Sequence, residues 1–142
     1  MMRLGFAIGA AFALQVVAAT PAELKVNIGE IAPASGQVLY AVFETADAWL
    51  DRPVAGGTLK VHATGTAAFE VDLPPGTYAI ALIHDENSNG ELDTNALGLP
   101  TEAFGFSNQA RARFGPPQFE RAAFELPAGG VTTNISMTRN KN

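Results

Sequence analysis

Counted from Asp85, the stretch His84-Asp85-Glu86-Asn87-Ser88-Asn89-Gly90-Glu91-Leu92-Asp93 carries oxygen-bearing side chains at positions one, three and five, a glycine at six and a carboxylate at nine. Hard cations such as calcium are held by oxygens supplied at alternate positions of a tightly curved loop. The spacing therefore predicts a shell built from the side chains of Asp85, Asn87, Asn89 and Asp93 and from the Glu91 carbonyl, with calcium as the expected ion. Gly90 falls where the turn is sharpest and a Cβ is least welcome. Two carboxylates with two amides make a weakly charged shell, so the expected Kd is on the order of 10⁻⁴ to 10⁻³ M, as in extracellular modules. The twelfth position is Ala96 where an EF-hand has a bidentate glutamate, and no helix pair flanks the loop; Glu102 is the acid placed to fold back and complete the shell. The plainer alternative is an Asx-rich turn, since Asn, Ser and Gly also favour tight reversals.

A second chemistry is open to His84, which could serve as a general base beside Asp85 or Glu102 in a hydrolytic centre. The duller use is a strand-end imidazole bonded to a loop carbonyl. No nucleophile with a local signature accompanies it, and Ser107 lacks the G-x-S-x-G setting of an activated serine. Downstream, Phe104, Phe106 and Phe114 lie near Arg111 and Arg113. They either line a groove for a glycan or peptide or pin a long loop onto the domain. His84, Glu102, Phe104 and Phe106 are the candidate ligand-binding residues.

These residues need a scaffold, and its signals are those of an all-β chain. Leu24 to Ile31 alternates apolar and polar residues; Gln37 to Glu44 and Tyr78 to Asp85 are apolar on both faces and read as central strands. Leu59 to Ala63, Ala67 to Leu73, Phe119 to Leu126 and Val131 to Met137 supply four more. Leu73-Pro74-Pro75-Gly76-Thr77-Tyr78 is a turn, with proline fixing φ and glycine permitting the reversal. Ala46 to Leu50 reads as one helical turn, with Trp49 as a lid on one edge of the core. Glu86 to Pro117 has no strong periodicity, and loops of that length are commonly functional or tied down. The expectation is a single antiparallel β-sandwich of about seven strands with one long ordered loop.

The chain has 142 residues, a formal charge of −5 and no cysteine. One domain is expected; disulfides and thiol catalysis are excluded. Nine Lys and Arg in an acidic chain argue against nucleic acid as a partner, because phosphate neutralisation dominates that affinity, and fit anionic lipid poorly. Residues 1–19 read as an export signal: Arg3, the apolar run Leu4 to Val17, then Val17-Ala18-Ala19 as cleavage site, with a cut after Ala22 as the alternative. The β-sandwich domain is then 20–142, periplasmic or secreted, with no transmembrane segment after signal removal.

The run His84 to Asn108 (HDENSNGELDTNALGLPTEAFGFSN), Gly115-Pro116-Pro117, Phe119 and the turn Leu73 to Tyr78 resemble an exported bacterial family catalogued as a domain of unknown function, number 2141. The resemblance covers nearly all of the chain beyond the signal. It implies an immunoglobulin-like or prealbumin-like sandwich and no established activity; the Pro-Gly-x-Tyr turn is also similar to transthyretin-like modules. The expected role is a calcium-stabilised binding or accessory module, its partner a glycan, a peptide or an envelope protein. The alternatives are a hydrolytic enzyme using His84, Asp85 and Glu102, and a structural envelope component without metal.

Overall fold

The computed structural model describes residues 20–94 and 100–139, so the expected export signal lies outside the described residues. Eight strands form two sheets: β1 (Ala22–Gly29), β2 (Gln37–Phe43), β3 (Ala55–Lys60), β4 (Ala67–Leu73), β5 (Gly76–Asp85), β6 (Phe104–Phe106), β7 (Phe124–Leu126) and β8 (Val131–Ser136). One sheet runs β4-β1-β8; the other runs β3-β2-β5-β6, with β7 also paired to β5. Every pair is antiparallel except β1 with β8, where Leu24 lies beside Val131 and Gly29 beside Ser136 in parallel. The sandwich expected from the alternation is present, with that one parallel pair and one strand more.

Alternation explains which faces meet. In β1, Ala22, Leu24, Val26 and Ile28 are buried while Glu23 and Lys25 face solvent. They pack against Val38 and Val42 of β2 and Tyr78, Ile80 and Leu82 of β5, which are likewise buried. Removing such side chains from water is the main favourable term, roughly 1.5–3 kcal/mol for each large one. The sheets also join at a corner: Phe104 N–H donates to the Thr138 carbonyl at 2.9 Å and receives the Thr138 N–H at 2.7 Å on its own carbonyl.

The other face of β5 is apolar too, and a second cluster covers it. Ala79, Phe104, Phe106 and Ala122 are its buried members, with Trp49, Ala81 and Phe119 packed around them. Trp49 meets Phe43 and Phe119 edge-on, at ring separations of 5.0 and 5.9 Å. Its indole N–H donates to the Pro117 carbonyl at 2.8 Å, so the expected lid is tied to the end of the long connection.

Three local expectations change. Phe119 to Leu126 is not one strand: Phe119–Ala122 is a helical turn, α1, before β7. A helical turn puts residues three apart on one side, so Phe119 and Ala122 both reach the outer cluster, which an extended chain would forbid. β3 begins at Ala55 rather than Leu59 because Gly56 and Gly57 are strand residues; a Cβ on Gly57 would stand 2.9 Å from Tyr40 Oη. Phe114 does not pin the loop. It is fully exposed, since Trp49, Phe106 and Phe119 already fill the cluster. Among the described residues no helix is long and apolar enough to cross a membrane.

Candidate functional site

Asp85 ends β5 inside the protein, and its carboxylate organises the loop beyond the strand. Oδ1 accepts the Asn89 N–H at 3.1 Å; Oδ2 accepts the Gly90 N–H at 2.8 Å and the Gln37 side-chain amide at 2.8 Å. Burial alone would raise the Asp85 pKa, but the bonds from Gln37, Gly90, Asn89 and Ser88 outweigh it and hold the carboxyl below its ordinary value. The chain then curls through Ser88 and Gly90, both at positive φ (56° and 80°). Glycine occupies the second of these at no steric cost.

The remaining expected ligands lie within the curl. Asn87 Nδ2 donates to Asp93 Oδ2 and Asn89 Nδ2 to Asp93 Oδ1, each at 2.6 Å. Asn87 Oδ1 shares the Asn89 N–H with Asp85, at 3.3 Å, and Asn89 Oδ1 accepts the Glu91 N–H at 3.0 Å. The side chains of Asp85, Asn87, Asn89 and Asp93 are thus brought together, linked through one another and through the backbone of residues 89–91. The Glu91 side chain is exposed and Leu92 half-buried. Among the described residues no three His, Asp or Glu side chains stand together in metal-holding positions, so a cation shell here depends on the Asn87 and Asn89 amides.

Glu102 folds back on this loop from just before β6. It is 4% exposed, and its two oxygens take backbone donors from opposite ends of the curl: Oε2 the Glu86 N–H at 2.7 Å, Oε1 the Asp93 N–H at 2.9 Å. Burial pushes its pKa up; the Asp93 N–H works the other way, and the charges of Asp93 and Asp85 add to the rise. The returning chain is further fixed by Thr101, whose N–H and hydroxyl both donate to the Asp93 carbonyl, at 2.9 and 3.1 Å.

His84 points to the core side of β5 and is 0% exposed. Its Nε2 lies 2.7 Å from the Ser35 carbonyl, the strand-end contact that the sequence suggested as the duller alternative. Among the described residues Nδ1 has no hydrogen-bond partner; it stands 3.9 Å from Glu86 Oε1, a carboxylate that also pairs with Arg139. The hydrolytic alternative would need His84, Asp85 and Glu102 to face substrate, and all three are buried. Phe104 and Phe106 are also buried, in the outer cluster, and Ser107 Oγ accepts the Ile80 N–H while donating to the Ala122 carbonyl.

The sequence did not single out the turn that supports the site from below. Ser35 holds His84, Gln37 holds Asp85, and Gly36 between them has φ 75° and lies so close that a Cβ would stand 2.6 Å from the Asp85 carbonyl oxygen. The Ser-Gly-Gln run marks a turn, but nothing in it says that the turn abuts residue 85 across two strands.

No curated protein and no solved structure matches the chain. A family model does, over residues 26–135, a span that includes all five expected ligand positions and Glu102. The chain belongs to the bacterial family described as "Uncharacterized protein conserved in bacteria (DUF2141)".

Proposed function

We propose that the protein is a β-sandwich binding or accessory module of the cell envelope or exterior whose long connection is set by a calcium-class cation at residues 85–93. The observation that carries this reading is the convergence on Asp93: two amide groups, from Asn87 and Asn89, are turned onto one carboxylate. Those Nδ2 groups supply the positive partial charge that a cation would supply. A half-turn of each amide about χ2 exchanges Nδ2 for Oδ1 and presents the ligand set that the spacing predicts.

Calorimetric titration of calcium into the chelator-treated protein and into Asp85→Ala tests the proposal. Expected is heat with a Kd of about 1 mM, the weak end of extracellular sites, that vanishes in the variant. At about 10 mM calcium such a site adds roughly 1.4 kcal/mol, or a rise of about 5 °C in melting temperature. Absence of both the heat and the rise in the parent protein would leave the plain Asx turn, and with it a structural component without metal.

A further inference from the structure

The outer face of the three-stranded sheet carries a hollow at one end. Strand alternation turns Ile28, Ala67 and Ile135 into the core, so their neighbours Asn27, Gly29, Thr66, Ala68, Asn134 and Ser136 belong to the opposite face. Register sets Asn27 between Ala68 on β4 and Asn134 on β8. These residues, with His62 from the turn before β4, line a cavity of about 420 Å³, within the roughly 300–1,000 Å³ of small-molecule sites. Gly29 puts no side chain into this row, and a Cβ there would meet no atom within 4 Å, so the space over the end of β1 stays open.

The lining is neutral and rich in hydrogen-bonding groups. Among the described residues that form it there is no Asp, Glu, Lys or Arg. The next charges along β1 and β4, Lys25 and Glu70, face each other at 4.0 Å and offset one another. Asn27 Nδ2 donates to Asn134 Oδ1 at 3.2 Å. That bond engages one polar atom of each amide and leaves Asn27 Oδ1 as an acceptor beside Asn134 Nδ2 as a donor. Turning both amides over gives the same pair in reverse order. Thr66 and Ser136 add hydroxyls, each able to give and to accept a hydrogen bond. On the β8 edge, Gln109 Oε1 takes the Ser136 N–H at 3.1 Å, so an added strand finds that donor already used.

We propose that this hollow binds a neutral saccharide of one or two rings. Neighbouring sugar hydroxyls match an acceptor and a donor set side by side, because each hydroxyl both gives and accepts. With Gly29 and Ala68 in the row, a ring can approach the sheet closely enough to reach the asparagine pair. An anionic ligand such as a phosphate or an acidic sugar would find no cation in the lining to pair with. An apolar ligand would strip water from the Asn27 and Asn134 amides and give nothing back. An extended peptide gains its affinity from the main chain of a strand edge, whereas this cavity opens on a sheet face. The site is on the other sheet from β5 and the loop that follows it, so the proposal does not depend on the cation at residues 85–93.

Titration of isotope-labelled protein with maltose, cellobiose, lactose and chitobiose, followed by amide chemical shifts in chelator, provides the test. At least one of these sugars should give saturable shifts centred on Gly29, Ser136 and the side-chain amides of Asn27 and Asn134, and digalacturonic acid should give none. Gly29→Leu sends its side chain into the open space and should abolish the saturation. Asn134→Asp keeps the acceptor for Asn27 but removes the donor, and should weaken binding about tenfold, as for one hydrogen bond to the ligand lost. Unchanged shifts of the buried β2 and β5 amides would show that both variants keep the fold. A parent protein that none of the neutral sugars saturates overturns the proposal, as does a Gly29→Leu variant that binds as tightly as the parent. Saturation by digalacturonic acid in place of the neutral sugars would also overturn it, assigning the cavity to an anion.

Discussion

Glu102 Oε1 accepts the N–H of Asp93 at 2.9 Å, so an acid nine residues downstream holds the far end of the oxygen-rich loop. Its other oxygen holds Glu86 at the near end, at 2.7 Å. The loop is therefore closed by a buried carboxylate whether or not a cation occupies it. Such a brace keeps the chain from 86 to 93 curled and gives the side chains inside it little entropy left to lose on binding an ion.

Glu102→Ala removes both acceptors at once. A buried N–H left without a partner costs about 1–3 kcal/mol, and the half-buried Glu86 and Asp93 amides recover part of that from water, so a loss of about 2–3 kcal/mol is expected. Chemical denaturation checks it. A loss below roughly 0.5 kcal/mol, typical of an uninvolved surface position, would mean that the brace is dispensable.

The two carboxyls of the loop base respond to acid in opposite senses. Glu102 has a folded pKa raised above its ordinary 4.5, so its contribution is fully present below 4.5 and is lost as pH rises through the folded value. Asp85 has a folded pKa lowered below 3.8, so its contribution is present above 3.8 and is lost as pH falls through the folded value. In chelator, the melting temperature of the parent relative to Glu102→Gln should climb as pH is lowered from neutral toward 4.5. Relative to Asp85→Asn, the parent should lose ground below 3.8. A difference from Glu102→Gln that stays flat across the first window would show that Glu102 ionises like an exposed acid.

The scaffold was legible wherever period-two alternation is strong, as in Leu24, Val26 and Ile28, because one buried face imposes it. Oxygen spacing made legible that Asp85, Asn87, Asn89 and Asp93 would meet, and Glu102 could be read as the next acid able to fold back, but not that it would take the Glu86 and Asp93 backbone N–H groups. What stayed hidden depends on long-range packing. Gly56 and Gly57 look like turn residues until Tyr40 is placed over them. Phe104–Phe106 looks like loop until it pairs with Ala81–Ile83. Phe114 resembles Phe104 and Phe106 in type, and only filling of the outer cluster by Trp49 and Phe119 leaves it outside.

Gly36→Ala tests whether the supporting turn is as tight as its contacts imply. The new Cβ would meet the Asp85 and Glu86 carbonyl oxygens at 2.6 and 2.8 Å, on a backbone at φ 75°. Neither contact can be relieved by a side-chain rotation, because both oxygens are main chain. Positive-φ strain and overpacking each cost on the order of 1–3 kcal/mol, so a loss of at least about 2 kcal/mol is expected. Gly90→Ala is the control: it has φ 80° but open space at its Cβ, and should cost only the conformational share, about 1 kcal/mol. Equal losses in the two variants would show that Gly36 is needed for its φ alone.

Asn89→Asp separates the cation reading from the plain turn by the sign of its effect. Without metal, the substitution removes the Nδ2–H donated to Asp93 Oδ1 and sets a second carboxylate where that 2.6 Å contact stood. Like charges so close repel, and the variant should be less stable than the parent by about 1–2 kcal/mol in chelator. With calcium the same carboxylate adds a charged ligand, and affinity rises with ligand charge, so Kd should fall about tenfold. The melting temperature of the variant should then lie below the parent's in chelator and recover toward it or above it as calcium is added. Destabilisation by the same amount at every calcium concentration would mean that Asn89 serves only the hydrogen bonds of a turn.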